Sequence, residues 1–158
     1  MSDLVNKIRK DIERDREEKE RLNRAFSQNL PILEKLKEKV KNHVDYINNN
    51  VGTKIFLFYE GSSIDDPSGK EHGRFGVKST RFSPGGSRSK LFDPDAYHGG
   101  GVDVFTSGIT GEIIMEVYPC DIFIKNISCI KHIESSTYSV DPSRITEEHL
   151  ENILNCIY

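Results

Sequence analysis

Gly101-Val102-Asp103-Val104-Phe105-Thr106, Ser107-Gly108-Ile109-Thr110 and Gly111-Glu112-Ile113-Ile114-Met115-Glu116-Val117-Tyr118 together decide the fold class. Two runs rich in β-branched and aromatic residues flank four turn-forming residues, which reads as an antiparallel hairpin. The apolar signal continues downstream through Asp121 to Ile127 and Cys129 to Ile133, with a bend at Asn126-Ile127-Ser128. Upstream, Thr53 to Tyr59 is the clearest strand. Arg74 to Phe82 alternates only in part, and its Gly76 and polar neighbours place it at a sheet edge. No β-α alternation recurs, so a doubly wound sheet is excluded.

The ends of the chain are helical. Residues 3 to 48 contain no glycine and are dominated by strong helix formers. One heptad frame runs through them, with Val5, Ile12, Lys19, Phe26, Leu33, Val40 and Ile47 at a. Its d positions are Ile8, Asp15, Leu22, Asn29, Leu36 and His43. Polar residues at four of these thirteen positions rule out a perfect zipper. Pro31 either kinks one helix or separates two that meet near Ser27–Asn29. Asn29 as a cap, Pro31 at the second position and Glu34 near the first turn favour two segments. The face carrying Leu33, Leu36, Val40, Val44 and Ile47 is expected to pack on the sheet. At the other end, Asp141-Pro142 opens a helical stretch in which Ile145, Leu150, Ile153, Leu154 and Ile157 recur. The expected architecture is α+β: an N-terminal helical arm kinked or broken near Pro31, four to six antiparallel strands and a C-terminal helix. The arm covers residues 1–50 and serves assembly or packing. An α+β domain covers 51–158, with glycine-rich loops at 83–101.

Composition narrows the function classes. A chain of 158 residues fits one ordinary domain. The net charge of -3 gives no case for attraction to a long duplex, and basic and acidic residues in the arm are intermixed. Three cysteines without metal-like spacing argue against a disulfide scaffold. The polar start and the lack of a bilayer-length apolar run lead to an expectation of a cytoplasmic protein.

Charge is nevertheless localised. Residues 70 to 90 carry six basic side chains and one acidic, whereas residues 101 to 158 carry three basic and nine acidic. The basic segment runs into Pro84-Gly85-Gly86-Ser87-Arg88-Ser89-Lys90 and, after Tyr97-His98, into Gly99-Gly100-Gly101. Neither G-x-G-x-x-G nor G-x-x-x-x-G-K-[ST] is present. Flexible backbone N–H groups beside Arg88 and Lys90 still suit an anion. The reading is a non-enzymatic, self-associating protein that holds a small phosphate-bearing, nucleotide-like ligand. Its binding residues would be Arg74, Lys78, Arg81, Gly85, Gly86, Ser87, Arg88, Lys90, Tyr97 and His98, with Tyr97 stacking on a base. The N-terminal helices would join the copies. No cofactor or metal site is expected, because Asp93-x-Asp95-x-x-His98 matches no established ligand pattern. Two rival classes remain. One is an interaction module of the inhibitor or immunity type, using an acidic C-terminal half that includes Glu147, Glu148 and Glu151. The other is a small hydrolase using His72, Asp95 and His98.

Overall fold

The computed structural model describes residues 2–81, 100–118, 124 and 127–158. Helix α1, Asp3–Val51, is followed by strands β1 (Phe56–Glu60), β2 (Phe75–Ser79), β3 (Gly101–Thr106) and β4 (Ile113–Tyr118). Then come β5 (Ile130–Glu134), β6 (Thr137–Val140) and helix α2 (Glu147–Ile157). The six strands form one antiparallel sheet in the order β1-β2-β3-β4-β6-β5. The fold class is α+β, as the sequence suggests. None of the described helices is long and apolar enough to cross a membrane.

The ends of α1 follow from local chemistry. The Ser2 hydroxyl accepts a hydrogen bond from the Val5 N–H at 3.3 Å, and Gly52 closes the helix at φ 82°. The C-terminal half packs Leu33, Leu36, Val40 and Val44 onto Phe56, Phe75, Val77, Val102 and Val104. Leu150, Ile153, Leu154 and Ile157 of α2 complete the same core. A capping box between Thr146 and His149 starts α2. Side-chain bonds then fix α1 against the sheet. The Asn48 amide both donates to the Phe56 carbonyl at 2.9 Å and accepts from the Phe56 N–H at 3.1 Å. Arg21 donates to the carbonyls of Ile109 and Thr110, each at 3.2 Å, and so holds the β3–β4 hairpin tip on the helix.

The two-segment reading of the arm is corrected: α1 is one helix of 49 residues with Pro31 inside it. Asn29 does not cap a second helix. Its Nδ2 donates to the Gly111 carbonyl at 2.9 Å and to Thr106 Oγ1 at 3.3 Å. Contacts with the hairpin before Pro31 and with the core after it hold the helix through the missing hydrogen bond. Pro31 itself is exposed. An interior proline costs about 3 kcal/mol against alanine in a free helix. Pro31→Ala is therefore expected to raise stability by about 2 kcal/mol, since no packing is lost. Thermal unfolding that showed no gain would mean the helix is not continuous there.

Two strands also differ from the sequence reading. β2 is interior, between β1 and β3, and the edges of the described sheet are β1 and β5. Thr137–Val140, which the sequence reading assigned to no strand, is strand β6. It inserts between β4 and β5 after a tight turn in which Ser135 has φ 46°. Asp141 makes no side-chain cap, and Pro142 opens only a short 3-10 turn, Pro142–Arg144. The expected strand at Asp121 to Ile127 lies largely outside the described residues.

Candidate functional site

Both described α-helices lie against one face of the sheet. The strand register puts a different set of side chains on the other face. Tyr59 pairs with Gly76, Gly76 with Asp103 and Asp103 with Glu116. One step along, Leu57 pairs with Lys78, Lys78 with Gly101 and Gly101 with Tyr118. The two glycines make room for the tyrosines opposite them. A Cβ at Gly101 would lie 2.6 Å from Tyr118 Cε2, and one at Gly76 would collide with the Tyr59 phenol. Both rings thus cross a neighbouring strand at a position with no side chain.

That arrangement brings three polar groups together. The Tyr59 hydroxyl donates to Asp103 Oδ1 and lies 2.8 Å from the Tyr118 hydroxyl. Arg74 Nη2 donates to Asp103 Oδ2 at 3.5 Å, a long bond, while its guanidinium sits 4.3 Å above the Phe105 ring. Arg74 Nε is buried with no hydrogen-bond partner. Asp103 is only 5% exposed and Tyr59 7%. Burial pushes the Asp103 carboxyl above the usual carboxylate range, partly offset by the hydrogen bond from Tyr59 and the charge of Arg74. Burial, the bond to Asp103 and the bond to Tyr118 push the Tyr59 phenol far up. Tyr118 is raised as well, chiefly by burial. Both phenols therefore keep their protons at neutral pH; Tyr59 gives its one hydrogen bond to Asp103 and so accepts from Tyr118.

No family model matches the chain, no curated protein matches it, and no solved structure matches it.

Of the residues singled out from sequence, Arg74 and Lys78 share this face with the tyrosine cluster. Arg81 is elsewhere, its guanidinium 4.7 Å above the Tyr158 ring, which packs edge-on to Phe56. Lys70, part of the basic segment, is paired with Glu60 at 3.0 Å, and Lys37 of α1 reaches the same carboxylate at 2.9 Å. Those two lysines hold Glu60 below the usual carboxylate range. Gly85, Gly86, Ser87, Arg88, Lys90, Tyr97 and His98 lie outside the described residues. So does Asp95 of the hydrolase reading. His72 packs tilted against Phe26 of α1 with ring centroids 4.8 Å apart. Among the described residues no three metal-type ligands converge. The buried Cys129 thiol lies 3.4 Å from His149 Nδ1, and burial raises its pKa.

Sequence reasoning placed none of Tyr59, Tyr118 and Asp103 in the binding site. One signal was available. Asp103 stands between two valines in a strand, where a charge needs a partner across the sheet.

Proposed function

We propose that this is a non-enzymatic, cytoplasmic binding protein that holds a small phosphate-bearing, nucleotide-like ligand and self-associates through α1. The observation that carries the ligand reading is the shared face of Arg74, Lys78 and the Tyr59–Tyr118 hydroxyl pair. The β2–β3 connection, whose sequence carries Arg88 and Lys90, joins the strands at the Lys78–Gly101 end of that face. Cations supply charge for a phosphate, and a tyrosine ring offers a stacking surface for a base. Binding is favoured over turnover because Tyr59 is held neutral and Asp103 is occupied by two donors. The rival interaction module draws support from a groove between α1 and α2. Glu147, Glu148 and Glu151 line it opposite Lys39, Asn42 and Tyr46.

Native mass spectrometry on gently purified protein, before and after denaturation, is the first test. A defined mass released on unfolding is expected. Adenosine triphosphate and inorganic phosphate then serve as calorimetric probes of wild type and an Arg88→Ala/Lys90→Ala double variant. A loss of affinity of about tenfold or more is expected for the double variant. Unchanged affinity with the fold intact overturns the ligand reading.

A further inference from the structure

The Arg74 guanidinium is held in a pose with two defects. Its bond from Nη2 to Asp103 Oδ2 is long at 3.5 Å, and its Nε is buried without an acceptor. A guanidinium takes a carboxylate or a phosphate best along one edge, with two N–H groups on two oxygens. Asp103 does not complete such an edge, because its Oδ1 accepts from Tyr59 instead. Access also differs between the two side chains. Arg74 is 28% exposed and Asp103 only 7%. An anion from solvent therefore meets the guanidinium and not the carboxylate. A phosphate on the Nε edge would supply the missing acceptor and draw the guanidinium off Asp103.

Asp103 would then lose the charge that balances it. The polar and charged groups facing it are Tyr59 of β1, Arg74 at the entry to β2, and Tyr118 and its register partner Glu116 of β4. Arg74 is the cation among them. Burial pushes the Asp103 carboxyl above the usual carboxylate range, and Arg74 is one of the groups that hold it down. Taking that cation away pushes the carboxyl further up.

We infer that Asp103 is an internal competitor for Arg74: a ligand phosphate takes the guanidinium from it, and Asp103 takes up a proton from solvent as the phosphate binds. The neutral carboxyl still accepts from Tyr59. This rests on the phosphate-ligand reading and adds the regulation of that site. Asp103 is thus a positioning residue, acting on the ligand through Arg74.

Calorimetry with adenosine triphosphate, in paired buffers of high and low ionisation enthalpy, tests this on wild type, Asp103→Asn, Arg74→Gln and the double variant. Asp103→Asn removes the competing charge and is expected to bind about fivefold tighter near neutrality. That gain should largely vanish where Arg74 is already replaced. Wild type should take up more protons on binding than Asp103→Asn, and its affinity should approach that of the variant as pH falls. Protons on the phosphate itself are common to both proteins, so the excess belongs to Asp103. Should Asp103→Asn fail to fold, the excess uptake of wild type over Arg74→Gln is the measure. An Asp103→Asn protein that binds no tighter, a gain undiminished in Arg74→Gln, or equal proton uptake overturns the competition. Adenosine triphosphate that binds neither wild type nor Asp103→Asn overturns the ligand reading itself.

Discussion

Replacing Asp103 with alanine is expected to lower folding stability by about 3 kcal/mol, the lower end for breaking a buried charged pair. The carboxylate accepts from Tyr59 and from Arg74, and its removal takes away the acceptor that both donors share. Two features keep the loss from being larger. Arg74 is part-exposed, so water screens its orphaned charge, and Tyr59 retains its bond to Tyr118. Asparagine should cost less, because its carbonyl can still accept from Tyr59.

The asparagine variant also reveals the sign of the ionisation. Burial raises the Asp103 carboxyl above its ordinary value of 3.8. A raised folded pKa means the folded state holds the proton more tightly than the unfolded chain. The resulting stability is fully present below the unfolded value and is lost as pH rises through the folded one. Wild type should therefore lose ground to Asp103→Asn as pH climbs through the window above 3.8. Urea unfolding of both proteins across that window measures it. Curves that run parallel would mean Asp103 does not titrate differently in the two states.

The parts of the fold legible in the sequence are those decided by local chemistry. Ser107-Gly108-Ile109-Thr110 reads as a turn because its residues favour one, and β3 and β4 do pair around it. The apolar face of Leu33, Leu36, Val40 and Val44 reads as packed because its spacing is helical, and it lies in the core. The misread parts are those decided by distant partners. Pro31 breaks a helix by every local rule, yet Asn29 bonds to Gly111, 82 residues along the chain, and carries the helix through. Thr137–Val140 is too short and too polar to announce a strand, and its place is set by β4 on one side and β5 on the other. The candidate site is of this second kind. Arg74 and Lys78 stand out by charge, but nothing near Tyr59 in sequence says that it reaches Asp103.

Gly76 is where local and long-range reasoning predict opposite signs. By β-propensity alone, valine in an interior strand should stabilise by up to about 1 kcal/mol over glycine. The structure predicts a loss of about 4 kcal/mol for Gly76→Val, from overpacking and the broken hydrogen bond together. A Cβ built at Gly76 falls on the Tyr59 phenol and 2.5 Å from Asp103 Oδ1, so any side chain must push the ring off the strand. That displacement separates the Tyr59 hydroxyl from Asp103 inside a buried cluster. Gly108→Ala is the control, since nothing lies within 4 Å of a Cβ there. A double-mutant cycle makes the cause specific. In a Tyr59→Ser background the ring is gone, and adding Gly76→Val should cost much less than in wild type. Full additivity in chemical denaturation would show that the glycine serves the backbone and not the tyrosine. Strong coupling would establish that Gly76 reads as a weak strand residue only because its side-chain space belongs to the opposite strand.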